Sequence, residues 1–270
     1  MKNNTPLVTI VTPAFDCAAY IQDTYASILA QTEQAWEWFV VDDASQDATA
    51  QILAQIEAND SRVTITTLAE NAGAGMARNM AIRSASGRFI AFLDADDLWH
   101  PEKLERQTTM MLNTGTGLSY AAYDIIDRDG QPKGHASVPL STTYHALLKH
   151  NVIGCLTAMY DTQIYGRVEM PDARKRQDYG LWLRLLRAGG TAHAVPGTLA
   201  TYRRLPNSLS SNKIGAAVGA WSVYRRMENM GLFKSSYYFL HYAIGTSLRR
   251  INQMTNVMGT TKSVAPKNRY

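Results

Sequence analysis

Short apolar runs and helical stripes alternate along the first hundred residues. Leu7 to Thr12 (LVTIVT) is apolar and β-branched and is closed by Pro13, the pattern of a buried strand. From Ala19 to Gln31 the apolar residues Tyr20, Ile21, Tyr25, Ile28 and Leu29 recur at helical spacing. A strand at Trp36 to Val41, a helix at Ala48 to Ile56, a strand at Val63 to Leu68, a helix at Met76 to Ser84 and a strand at Phe89 to Leu93 follow. This rhythm predicts an α/β protein with a mostly parallel sheet and helices on both faces. Ligands in such sheets lie beyond the carboxyl ends of the strands. Polar residues gather at those ends here: Thr12, Asp42 with Asp43, and Asp94 with Asp96 and Asp97.

Past Pro101 the pattern predicts a helix at Glu102 to Met111, a strand over LSYAAYDIID, and a turn at Arg128-Asp129-Gly130. A helix at Tyr144 to His150, a strand at Cys155 to Tyr160, and a helix at Asp178 to Arg187 stopped by Gly189-Gly190 complete the second half. The expected organisation is a domain over 1–210, with a first half to about 100 and a second half over 101–210, a helical extension over 211–254, and a polar, fraying tail over 255–270.

Composition narrows the class. Of 270 residues 46% are hydrophobic, enough for a sizeable core, and 27 Lys and Arg against 23 Asp and Glu leave only +4, too mild to argue for nucleic acid. Two cysteines, Cys17 and Cys155, form no metal cluster or disulfide framework, which favours a reducing cytosol. The opening residues do not read as a signal peptide, and no apolar run reaches the eighteen or so residues of a membrane span. His145, His150 and His193 lack ligand spacing and read as structural.

Asp94, Asp96 and Asp97 place three carboxylates within four residues directly after a buried strand. Charges so close repel and raise one another's pKa, which a hard cation relieves, and Mg²⁺ or Mn²⁺ suits oxygen ligands. Magnesium is commonly held by one or two carboxylates plus substrate phosphates, so a nucleotide diphosphate is the natural partner. The alternative is an acidic helix start, and Asp97 reads that way.

The runs VTIVTPAFDCAAYIQDTYASILAQT, FVVDDASQDAT, ENAGAGMARNMAIRSASGRFIAFLDADDLWHPEKLERQ and QDYGLWLRL together resemble family 2 glycosyltransferases. YRRLPNSLSSNK and the aromatic-basic end that follows resemble the bacterial subgroup building O-antigen, capsule and teichuronic-type polysaccharides. The resemblance implies the GT-A fold, a Rossmann-like sheet flanked by helices. It implies a sugar transferred from a UDP-sugar to a glycan acceptor, with Mn²⁺ or Mg²⁺ as cofactor. Carried over by position, Thr12 and the backbone of Pro13 and Ala14 line the base, and Asp43 accepts from the uracil ring N–H. Asn71 and Gly75 approach the nucleotide, Arg78 pairs with Asp94 beside Ala95, and Asp96 is the metal ligand. Asp178 is the general base; Gln177 stands where the family commonly has Glu. One base without a second nucleophile implies inversion.

The processive Gln-x-x-Arg-Trp motif is missing, so transfer of a single sugar is expected. Trp99 is a candidate for sugar stacking, and Arg203, with Ser208, Ser210 and Lys213, for a loop over the diphosphate. The end from Gly231 to Arg250 mixes aromatic and basic residues, which suits peripheral contact with the inner face of a membrane carrying a lipid-linked acceptor, or equally a homodimer helix. A sugar nucleotidyltransferase is the competing enzyme, disfavoured because Thr12-Pro13-Ala14-Phe15 replaces a glycine- and lysine-rich loop. A noncatalytic relative would be expected to lose Asp43, Asp94, Asp96 and Asp178, all present here.

Overall fold

The computed structural model describes residues 5–173, 175–206 and 213–244. The tail expected over 255–270 and the end of the extension lie outside the described residues. The first half winds as β1 (Val8–Ala14), α1 (Ile21–Leu29), β2 (Trp36–Asp42), α2 (Thr49–Asn59), β3 (Val63–Thr67), α3 (Ala74–Ser84) and β4 (Phe89–Phe92). β5 (Leu98–Trp99), α4 (Lys103–Thr114), β6 (Leu118–Asp127), β7 (Pro132–Ala136), β8 (Ser141–Thr143) and α5 (Tyr144–Lys149) follow. Then come β9 (Met159–Asp161), α6 (Thr162–Tyr165), α7 (Gln177–Leu186), β10 (Thr191–Arg204), α8 (Lys213–Ser222), a π-helical turn (Val223–Met227), and a last helix, α9, over 232–244.

All the strands join one ten-stranded sheet in the order β3-β2-β1-β4-β9-β6-β10-β5, with β7 on β6 and β8 on β10. β3, β2, β1 and β4 are parallel, so their carboxyl ends share one edge. The chain leaves β1 towards β2 and returns to β4 on the other side, which opens a crevice at that edge. The second half is mixed, with antiparallel β9, β7, β5 and β8 around the parallel pair β6 and β10.

Strand periodicity divides the core between the two faces. Val8, Ile10, Val40, Phe89, Ala91 and Leu93 pack on the side of Ile21, Ile28, Leu53 and Leu104. Their neighbours Val11, Val41, Ile90 and Phe92 face Ala77, Ala81, Leu181 and Trp182. Trp182 meets Phe92 edge-on at 5.4 Å, which seats α7 over the last residue of β4. α3 turns a face of alanines to β1 and β2, and buries Asn79, whose amide accepts from Met170 N (2.7 Å) and donates to Met170 O (3.0 Å). The approach to α7 is thereby stitched to α3.

Several second-half elements depart from expectation, and the short β5, β7, β8 and α6 have no counterpart in the sequence reading. The strand read at Cys155 to Tyr160 is a 3₁₀ turn at Cys155–Thr157 followed by β9. β10 has no counterpart in the sequence reading, because Pro196 and Gly197 interrupt its pattern and the pairing with β6 slips between Val195 and Ala200.

Candidate active site

The acidic turn after β4 divides its three carboxylates among three neighbours. Arg78, buried on α3, donates to Asp94 and forms an ion pair with it. Burial alone would lower the Arg78 pKa, but the charge of Asp94 outweighs it and the guanidinium is held above its ordinary value. Asp97 is buried and accepts the Arg203 main-chain N–H at 2.8 Å, tying the turn to β10. It does not begin a helix, since α4 opens six residues later, at Lys103. Burial, then the charges of Asp96 and Asp94, hold its carboxyl well above the usual range.

Asp96, half-buried, differs from both. Burial and the charge of Asp94 push its pKa up to about 6, and no side chain donates a hydrogen bond to its carboxylate among the described contacts. Its carbonyl is engaged instead, by Arg203 Nε at 3.1 Å. From α1, Thr24 Oγ1 lies 2.9 Å from the carbonyl oxygens of both Ala95 and Asp97. A carboxylate raised by its surroundings on a turn held from three sides fits a divalent cation, which would favour the charged form. Among the described residues no group of three or more His, Cys, Asp and Glu is placed to hold a metal, so a cation at Asp96 would take its other ligands from substrate oxygens and water.

The loops after β1 and β2 are laced together. Asp16 accepts from Gln46 N (2.8 Å), Asp47 from Ala18 N (3.1 Å), and Thr49 from Cys17 N (2.9 Å). Asp42 closes its own loop by accepting from the Ser45 N–H and hydroxyl. Asp43 reaches across instead: its two carboxylate oxygens accept from Ala72 N (2.7 Å) and Gly73 N (2.8 Å), while Asn71 Nδ2 donates to its carbonyl at 3.2 Å. The left-handed residue of this loop is Gly73 (φ +90°). Gly75 has a different reason to lack a side chain, since a Cβ there would lie 3.3 Å from Gln177 Cγ.

That close approach brings the start of α7 against the start of α3. Asp178 is the second residue of α7, partly buried, and its charge acts on both Arg78 and Cys155. Asp178 is not the cap of this helix; the cap position is Arg176 (φ +65°), with no side-chain cap bond. Cys155, on the 3₁₀ turn beside them, has its thiol pushed well up by burial.

Three expectations are corrected. Thr12 is fully buried, and its hydroxyl accepts from Trp38 Nε1 at 2.8 Å, so its side chain faces the core and not a base. Trp99 is also core: it is buried, Nε1 donates to Leu156 O at 2.7 Å and Lys103 Nζ sits 3.9 Å from its ring. Arg203 lies in β10, buried, and not on a loop over the diphosphate. Pro13 and Ala14 end β1 at the crevice edge. Ser208, Ser210 and the side chain of Lys213 lie outside the described residues. Thr24 and Asn79 escaped the sequence reading. Their only signal was a polar residue inside an apolar stripe of its helix.

A model of the family described as Glycosyl transferase family 2 matches residues 9–169. A Bacillus subtilis protein named Putative teichuronic acid biosynthesis glycosyltransferase TuaG is 42% identical over 93% of this chain and 100% of its own. The Escherichia coli UDP-Glc:alpha-D-GlcNAc-diphosphoundecaprenol beta-1,3-glucosyltransferase WfgD is 37% identical over 88% of this chain and 92% of its own. Among solved structures, the mannosyltransferase PcManGT from Pyrobaculum calidifontis, in complex with GDP-Man and Mn²⁺, superposes with a TM-score of 0.67 at 18% identity, covering 97% of this chain and 76% of that one.

Proposed function

This chain belongs to glycosyl transferase family 2 and is a glycosyltransferase of the GT-A fold, and we propose that it transfers a single sugar, with inversion, from a UDP-sugar to a lipid-diphosphate-linked glycan in bacterial surface polysaccharide synthesis. The observation that carries the donor half is the division of the acidic turn. With Asp94 paired to Arg78 and Asp97 buried under Arg203, Asp96 is the carboxylate free to hold Mn²⁺ or Mg²⁺. A divalent cation bound there would offset the charge of the departing diphosphate. PcManGT, a neighbour in fold, is a complex with Mn²⁺, and WfgD uses a UDP-sugar and a diphosphoundecaprenol acceptor by its name; both support the reading.

The chain's own residues divide the remaining work. Asp43 holds the turn at Ala72 and Gly73, and each of its oxygens keeps a second lone pair, so it can accept a uracil ring N–H. Cytosine has no hydrogen there, which favours UDP over CDP. Arg78 orients Asp94 beside the sugar through their ion pair. Asp178 takes the proton of the acceptor hydroxyl as its oxygen bonds to the anomeric carbon and the bond to the diphosphate breaks. A single displacement with one base inverts configuration. Measuring UDP release with each common UDP-sugar, with and without Mn²⁺, on a lipid-diphosphate-linked sugar tests this. Turnover in excess EDTA, or by a GDP-sugar alone, would reject it.

A further inference from the structure

The last helix has two unlike faces. Inward, Ser235 is fully buried, Phe239 meets Trp221 edge-on at 5.6 Å, and Tyr238 lies 6.0 Å from Tyr224. Outward, Leu232, Phe233, Tyr237, Leu240 and Ile244 form one exposed stripe along α9, with Phe233 95% exposed. A helix facing water places charge on that side; here Lys234 is its only ionisable Lys, Arg, Asp or Glu. An open apolar stripe of this kind marks a surface that something covers.

Charge says what covers it. No Asp or Glu follows Glu228: the last 42 residues hold six Lys and Arg, so the other 228 carry a net charge of −2 against +4 for the chain. Apolar and aromatic residues on one side of a helix in an acid-free, basic segment match an anionic lipid interface. A second copy of this chain is the poorer occupant, because a two-fold contact would set one acid-free, basic segment against another. Among the described residues no helix is long and apolar enough to cross a membrane, so contact would be along the surface.

The inner face reaches the site. Tyr242 accepts a hydrogen bond from Arg176 Nη2 at 2.9 Å, and the guanidinium lies 5.5 Å over its ring. Arg176 is the left-handed residue that opens α7, two positions before Asp178. Gly219 of α8 leaves room for it, since a Cβ there would be 3.2 Å from Arg176 Cγ.

We propose that α9 is a membrane-docking helix: Leu232, Phe233, Tyr237, Leu240 and Ile244 enter the interface of an anionic bilayer, and Tyr242 on the opposite side holds the start of α7. The docking stands apart from the reading of Asp178 as base, on which only its consequence for turnover rests. Flotation of the full chain tests it, with vesicles of phosphatidylcholine alone or mixed with phosphatidylglycerol, free of any acceptor. The wild type is expected to float with the anionic vesicles, to be released by high salt, and to stay behind with the neutral ones. The double variant Phe233→Ser, Leu240→Ser is expected to lose flotation while keeping the melting temperature and UDP binding of the wild type. On acceptor embedded in anionic vesicles it should lose at least tenfold in turnover, but match the wild type on acceptor in detergent micelles. Failure of the wild type to float, flotation of the double variant, or a dimer in the ultracentrifuge that the double variant abolishes would each overturn the docking. UDP release without flotation would remove the docking and leave the glycosyltransferase reading intact; flotation without turnover of any UDP-sugar would do the reverse.

Discussion

Arg203 Nε donates to the main-chain carbonyl of Asp96 at 3.1 Å, across a separation of 107 residues, while its own N–H is held by Asp97 at 2.8 Å. The same guanidinium donates to Arg128 O at 3.3 Å, approaches Asp23 at 3.5 Å, and lies 4.9 Å over Tyr20. It therefore braces the backbone of the turn that carries the Asp96 carboxylate.

A positioning role of this kind predicts that Arg203→Met raises the Mn²⁺ concentration needed for half-maximal UDP release by about tenfold, the equivalent of about 1.4 kcal/mol in metal affinity. The UDP-sugar KM at saturating Mn²⁺ should change much less. A folded variant with the Mn²⁺ requirement of the wild type would show that the turn holds itself.

Removing the free carboxylate should be harsher. Asp96→Ala is expected to abolish transfer while the melting temperature holds or rises, because the change relieves a carboxylate held up at about 6 by burial and Asp94. Full turnover by this variant would remove Asp96 as metal ligand.

Asp178→Asn separates chemistry from structure. Since no side chain caps α7, the melting temperature should be nearly unchanged. Loss of the base should lower kcat by a factor on the order of 10² to 10⁴ with UDP-sugar binding retained. Near-normal kcat would take Asp178 out of the mechanism.

Asp43→Ala has two effects that a ratio disentangles. Freeing the turn at Ala72 and Gly73 weakens every nucleotide, whereas loss of the ring contact weakens UDP alone. Calorimetry should show the preference for UDP over CDP reduced by about 1 to 3 kcal/mol. An unchanged preference would leave Asp43 as a loop fastener only.

Away from the site, Asp60 bonds Arg62 and Tyr25, and its pKa is lowered from 3.8 to about 2, first by the hydrogen bond from Arg62. A lowered carboxylate adds stability above its unfolded pKa and loses it as pH falls through the folded one. Asp60→Asn should therefore melt several degrees below the wild type at pH 7, with the gap closing between about pH 4 and 2. A gap independent of pH would show that the loss is one of shape, not of charge.

Much of this was legible along the chain because it is local. Short apolar runs at Leu7 to Thr12 and Phe89 to Leu93, and helical stripes between them, set out the parallel half of the sheet, and with it the edge where Asp43, Asp94 and Asp96 lie. The acidic turn was visible as a cluster that needs compensation. What belongs to tertiary structure is how that compensation is shared. Asp94, Asp96 and Asp97 are chemically alike in sequence; they differ because the Arg78 guanidinium pairs with the first carboxylate and the Arg203 main-chain N–H donates to the last, while neither arginine donates to the carboxylate of the middle one. Thr12 and Trp99 show the same limit, polar and aromatic residues at the right address whose side chains turn into the core towards Trp38 and Leu156. Hydrophobic period is a property of neighbours in sequence. The state of a single polar side chain depends on partners such as Asp97 for Arg203, 106 residues away, and on the burial that only the packed chain supplies.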